Sequence, residues 1–209
     1  MAKAQQHSVD IEKWLKLIRA DGIGPTTFGK LINHFGSVDR ALGASVSELA
    51  KIDGVGFKTA EQIAATRNKF DTTAELELAE KLGVWLIHLH DKRYPPVLKQ
   101  IYDPPPVLYI KGGLTRRDNL CISIVGSRRC SLYGQEQSSR LAHFLASAGF
   151  TICSGMARGI DSAAHQGALS ANGRTIADCD HRTDSGRQDA FVGDHRRCFA
   201  RIRLQSECR

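Results

Sequence analysis

The chain has 209 residues, 42% of them hydrophobic, and its 29 basic against 22 acidic side chains leave a net charge of +7. That length holds one medium domain or two small ones, and the charge leans only weakly toward a polyanionic partner. No apolar run approaches the ~20 residues that span a bilayer, which excludes a membrane-embedded reading. The polar start, MAKAQQHSVD, lacks the apolar stretch of a secretory signal. The six cysteines include no C-x-x-C pair, so no metal site is expected, and no cofactor either. Cys121 and Cys153 fall in strand-like runs and are expected as reduced core residues. Together these features imply a cytoplasmic globular protein.

Residues 8–70 read as short helices. Ile11, Trp14, Leu15 and Ile18 share one face of the first. Gly22-Ile23-Gly24-Pro25 follows, with Pro25 suited to a helix start, and then a helix through Phe28, Leu31, Ile32 and Phe35. Ser45 reads as the N-cap of a helix through Leu49. Gly54-Val55-Gly56-Phe57-Lys58 leads into another helix through Ile63. Gly-apolar-Gly therefore occurs twice, each time between helices, as in a tandem helix-hairpin-helix unit. Backbone N–H groups of such a hairpin and of the following helix can receive a phosphate. Gly54, Gly56 and Lys58 are candidate contacts on that reading, with a packing or protein-contact role as the competitor. Residues 71–83 read as a connecting helix ended by Gly83. Strands are expected over 84–89 and 107–110, around a proline-rich stretch. From Leu120 onward strands and helices alternate, the pattern of a parallel sheet with helical crossovers.

Two strand-to-helix junctions carry the chemistry. A strand over 121–125 runs into Gly126-Ser127-Arg128-Arg129, and one over 150–153 runs into Ser154-Gly155-Met156-Ala157-Arg158. Glycine lets the backbone approach an anion, and a helix N-terminus offers N–H groups and the positive end of its dipole. Arginine adds a charged fork that matches phosphate. Gly126, Ser127, Arg128, Arg129, Ser154, Gly155 and Arg158 are therefore the candidate anion-binding residues, with Arg128 first and Arg129 equally suited to solvent or an acidic partner. Neither junction is G-x-G-x-x-G or G-x-x-x-x-G-K-[ST], which argues against a dinucleotide or nucleoside-triphosphate site. Asp161 sits where an N-cap belongs and His165 lies one turn on. Both are read as structural, and no nucleophile stands beside a base, so no catalytic residue is assigned.

The segments Y-P-P-V-L (94–98), D-P-P-P-V-L-Y-I-K-G (103–112), I-V-G-S-R-R (124–129), S-G-M-A-R-G-I-D-S-A-A-H-Q-G-A-L (154–169) and G-R-T-I-A (173–177) resemble the DNA-processing protein A family, DprA/Smf. The resemblance implies an α/β fold, a Rossmann-like parallel sheet preceded by a small all-α, sterile-alpha-motif-like helix-hairpin-helix domain. It implies a protein of natural transformation that is not an enzyme. Such a protein binds single-stranded DNA, protects incoming strands, loads the RecA recombinase and pairs as a homodimer through its Rossmann domain. The family's Gly-Ser-Arg pocket carries over to Gly126, Ser127 and Arg128.

The chain departs from that family after Ala177. From residue 178 it has no lysine but seven arginines and three cysteines, whereas residues 1–177 hold eleven lysines and eleven arginines. The break reads as a shifted frame that ends early, with a basic tail as the competing reading. The expected organisation is a helical domain over 1–70, a connecting helix over 71–83, the first part of an incomplete Rossmann-like domain over 84–177, and an aberrant or disordered tail over 178–209. Loss of later strands would expose apolar faces and remove the homodimer surface. Two other function classes stay open. One is a Rossmann-like enzyme that cleaves nucleotides, with Asp161 as the carboxylate facing the sugar. The other is a helix-hairpin-helix accessory protein of DNA repair.

Overall fold

Helical spacing of the apolar residues sets the first part of the chain. The computed structural model describes residues 2–182 and 188–194. It divides into two compact units: the chain passes from the first to the second after Tyr109, and the later segment His181–Ala190 groups with the first.

The first unit opens with α1 (Ala2–Ile18), α2 (Pro25–Phe35), α3 (Val38–Gly43), α4 (Val46–Leu49), α5 (Phe57–Thr66) and α6 (Thr72–Lys81). Trp14, Leu15, Leu17, Phe28, Leu31, Leu49 and Ile63 are buried and form its core. Trp14 lies 5.0 Å from the Phe28 ring, centroid to centroid, which joins α1 to α2. Ser45 caps α4 as expected: its hydroxyl accepts from the Glu48 N–H while the Glu48 carboxylate accepts from the Ser45 N–H. The sequence reading passed over α3, a single short turn capped by the Ser37 hydroxyl.

Strands β1 (Val84–His88) and β2 (Val107–Lys111) lie side by side. The first unit takes in β1 and β2 as far as Tyr109. Polar contacts explain the association. The guanidinium of Arg19, the residue after α1, and the Tyr109 hydroxyl of β2 both donate to Glu75 Oε1 of α6, each at 2.5 Å. Tyr94 is buried between the strands in sequence, and its hydroxyl donates to the Pro105 carbonyl at 2.8 Å. Burial pushes that hydroxyl's pKa up. Asp91 takes a forked contact from Arg93, and those hydrogen bonds hold its carboxyl down at about 2 despite partial burial.

The second unit is a parallel sheet with helical crossovers. Strands β3 (Cys121–Ser123), β4 (Thr151–Ser154) and β5 (Thr175–Arg182) run parallel in the order β3-β4-β5. Helices α7 (Leu132–Ser147) and α8 (Ile160–Ser170) cross over between them. Ile152 in β4, Ala142 and Ala146 in α7, and Ala164 and Ala168 in α8 form its core, with Ile124 packed on it. Small residues on both helices let their axes approach closely. The strand β3 ends at Ser123, two residues short of the expectation, because Ile124 makes the last ladder bond, to the Cys153 carbonyl at 3.0 Å. Cys121 is exposed and Cys153 half-buried, which corrects their expected core placement: β3 is the outer strand. Leu120, Val125, Tyr133, Leu141 and Phe144 are exposed on and beside this edge.

The sequence reading ends the last strand at Ala177. Instead, β5 continues to Arg182, and β6 (Gln188–Asp194) is also formed. Residues 183–187 and 195–209 of the expected tail lie outside the described residues.

Asp118 joins the starts of all three parallel strands. It accepts from Arg174 Nε at 2.5 Å, the Thr151 hydroxyl at 3.0 Å and the Thr115 N–H at 2.6 Å. Burial alone would raise its carboxyl, but the Arg174 guanidinium and the Thr115 and Thr151 donors hold it below the ordinary aspartate range. Its folded pKa is depressed, so its stabilisation is complete above the unfolded value and fades as pH falls through the folded one. Asp118→Ala is expected to lower unfolding free energy at pH 7 by about 3 kcal/mol. Urea midpoints measured from pH 7 down to 3 check this: parent and variant should converge at the acid end.

Candidate nucleic-acid interface

The two junctions meet at the carboxyl ends of β3 and β4, where open parallel sheets bind ligands. After β3 the chain turns through Gly126, Ser127, Arg128 and Arg129, and Ser131 then caps α7 by accepting from the Gly134 N–H at 3.1 Å. The Ser127 hydroxyl accepts from the Arg129 N–H at 3.1 Å and tightens that turn. After β4 the chain passes through Gly155, Met156 and Arg158 to Gly159, the residue preceding α8.

Close backbone contact welds one junction to the other. Gly159 has φ +90, and a Cβ there would sit 2.3 Å from the Ser127 carbonyl oxygen. A Cβ on Gly126 would sit 2.7 Å from Ile160 Cγ1. The Ile160 N–H donates to the Ser127 carbonyl at 3.3 Å. Asp161 completes the weld: Oδ1 accepts from the Gly126 N–H and Oδ2 from the Ala157 N–H, both at 3.3 Å. Asp161 is therefore not an N-cap, as the sequence position suggested. It is the second residue of α8, buried, and clamps one loop to the other.

Two further placements depart from expectation. Ser154 is buried, and its hydroxyl donates to the Ile124 carbonyl at 2.6 Å. That hydrogen is committed inside the sheet, so Ser154 leaves the anion-binding set and fixes β4 to the first junction. His165 does not pair with Asp161. It is buried, and its Nδ1 lies 2.6 Å from the Thr175 hydroxyl. That hydroxyl gives its single hydrogen to the Ile152 carbonyl at 2.9 Å, so Nδ1 must be the donor. His165 thus ties α8 to β4 and β5. Sequence reasoning missed Asp118 and Arg174 as the ties at the opposite strand ends; a lone Arg before an apolar strand gives no periodic signal.

What remains open to solvent is Gly126, Ser127, Arg128, Arg129, Gly155 and Arg158, all exposed. Among the described residues none of the three guanidiniums has an ion pair or hydrogen bond. Three arginines on two clamped, glycine-backed loops, Arg128 and Arg129 on the first and Arg158 on the second, form a cationic surface already held in place before a ligand arrives.

In the first unit the two hairpins have the same build. Gly22 and Gly54 adopt φ +84 and +81, Ile23 and Val55 are buried as plugs, and Gly24 and Gly56 precede α2 and α5 without a side-chain cap. Lys30 donates to the Asp53 carbonyl at 2.9 Å and its carboxylate at 3.0 Å, bracing the second hairpin. Gly54, Gly56 and Lys58 are exposed there.

Residues 85–186 match the family described as DNA recombination-mediator protein A, and residues 9–67 match the DprA-like N-terminal HHH domain. The chain belongs to the DNA recombination-mediator protein A family. The recombination-mediator match extends past Ala177, where the composition changes. The chain is 35% identical over 168 residues to the protein Smf of Synechocystis, covering 78% of this chain and 42% of that one. It is 41% identical over 95 residues to the DNA processing protein DprA of Bacillus subtilis, covering 45% and 32%. An X-ray structure of DprA from Streptococcus pneumoniae superposes with a TM-score of 0.63 at 25% identity, over 88% of this chain and 65% of that one. The aligned stretches cover less than half the length of the two curated relatives. A helix-hairpin-helix domain followed by an α/β domain with a parallel three-stranded sheet is the shared mediator-family fold. Among the described residues no helix is long and apolar enough to cross a membrane.

Proposed function

We propose that this chain binds single-stranded DNA at the β3 and β4 junctions and serves recombination as a DNA-processing protein. The observation that carries this reading is the set of exposed Arg128, Arg129 and Arg158, without ion pair or hydrogen bond among the described residues, on loops clamped together by Asp161 and Gly159. Phosphates would meet the guanidiniums, with Gly126 and Gly155 leaving room for the backbone of the strand. Protection of incoming strands, loading of the RecA recombinase, pairing of two copies and a cytoplasmic setting belong to the same proposal through the family. The second hairpin is a further contact: the Gly56 N–H and Lys58 would take one phosphate, so Lys58→Ala should weaken oligo-dT binding by about twofold to threefold. Fluorescence anisotropy on a labelled oligo-dT checks that figure.

The role is binding rather than catalysis. A nucleotide-cleaving enzyme needs a carboxylate facing the sugar, and Asp161 is buried with both oxygens holding backbone amides. Photocrosslinking of a bromodeoxyuridine oligonucleotide, followed by peptide mapping, tests the site. Crosslinks within 126–129 and 155–158 support it. Crosslinks confined to the hairpins, or release of free base from the oligonucleotide, oppose it.

A further inference from the structure

Just past the Arg128–Arg129 turn the fold leaves an aromatic ring open to water. Tyr133, the second residue of α7, is 72% exposed, and Leu132 beside it is 83% exposed. Among the described residues the Tyr133 hydroxyl makes no hydrogen bond and its ring meets no other ring. The turn beneath it is fixed. Ser131 caps it, and a Cβ on Gly134 would lie 3.5 Å from Cys130 Cβ and from Ile160 Cδ1. Ile160 also donates its N–H to the Ser127 carbonyl, so the first turn of α7 stands on the same weld that holds the arginines. The surroundings suit a polyanion. Glu136, the one carboxylate of α7, faces Arg140 at 3.9 Å, and Asp161 is buried on backbone amides. An exposed ring on a fixed turn, next to guanidiniums, matches a ligand that carries flat apolar faces along an anionic backbone. Every nucleobase has such a face, so stacking on an aromatic side chain is tolerant of sequence.

We propose that Tyr133 is a stacking platform for one base of single-stranded DNA, set beside the Arg128–Arg129 turn. The proposal rests on the reading of Arg128, Arg129 and Arg158 as phosphate contacts and adds a base contact to it. The arginines hold the backbone of the strand, and the ring takes the base next to a held phosphate. A duplex keeps its bases stacked on one another, so along its length it offers the ring no free face without unstacking.

The test compares oligo-dT with an abasic deoxyribose-phosphate oligomer of the same length and charge, by fluorescence anisotropy on the full chain. The parent should bind oligo-dT about tenfold more tightly than the abasic strand. Tyr133→Ala should lose about tenfold in oligo-dT affinity while keeping the parent's abasic affinity, salt slope and urea midpoint. Tyr133→Phe should keep the preference for bases and Tyr133→Leu should lose it, because the base meets a π face rather than apolar bulk. Arg128→Ala should do the reverse, with a shallower salt slope and the preference intact. Equal binding of the two oligomers by the parent, or a preference retained in Tyr133→Ala or Tyr133→Leu, would overturn the platform and leave the phosphate reading standing. Binding of neither oligomer would overturn both. A lowered urea midpoint in Tyr133→Ala would make the ring a packing residue, and a dimer that dissociates in that variant would make it a contact between copies; either result overturns the proposal.

Discussion

Gly159→Ala is expected to destabilise the second unit by about 3 kcal/mol and to abolish oligo-dT binding. Two effects combine. The backbone at φ +90 disfavours any residue with a Cβ, and that Cβ would lie 2.3 Å from the Ser127 oxygen, a backbone atom that cannot turn aside. Either the Ser127 loop retreats or α8 shifts, and both break the Asp161 clamp. Gly126→Ala should be milder, because its new Cβ meets the Ile160 side chain rather than backbone. Urea denaturation followed by circular dichroism gives the stability difference. A Gly159→Ala midpoint equal to the parent's would mean that the junctions are not welded as described.

Arg128→Ala separates binding from folding. Its side chain is exposed and has no hydrogen bond or ion pair among the described residues, so the urea midpoint should not move. Affinity for oligo-dT should fall by about tenfold, and the salt slope should lose about 0.7, as for one single-strand phosphate contact. Arg140→Ala, on α7 with only a 3.9 Å pair to Glu136, is the control and should leave affinity unchanged. Equal binding by the Arg128 variant and the parent would move the site elsewhere on the chain.

The sequence made most of the architecture legible through local signals. Trp14, Phe28, Leu31 and Ile63 recur at helical spacing, and each proves buried. Pro25 and Ser45 mark helix starts because their chemistry acts within one turn. The glycines of both junctions were readable as points of close approach. What they approach was not, since Ser127 and Gly159 lie far apart in the chain. The same limit explains Asp161. One turn of sequence makes it an N-cap, whereas the fold brings Gly126 to its other oxygen. Ser154 was misread because a hydroxyl beside glycine looks the same in sequence whether it faces a ligand or the Ile124 carbonyl. Cys121 was misplaced because burial of a strand depends on its position in the sheet, which periodicity alone does not give. Asp118 and Arg174 join residues fifty-six apart and left no trace in any local pattern.

The most direct test of the account is the affinity of the purified chain for oligo-dT as a function of salt, read by fluorescence anisotropy. Three arginines meeting phosphates predict a log–log slope of about −2. They also predict weaker binding to a duplex of the same length, whose stacked, paired strands cannot follow the loops. A slope near zero, or no measurable binding at low salt, would contradict the assignment of the two junctions as a DNA site.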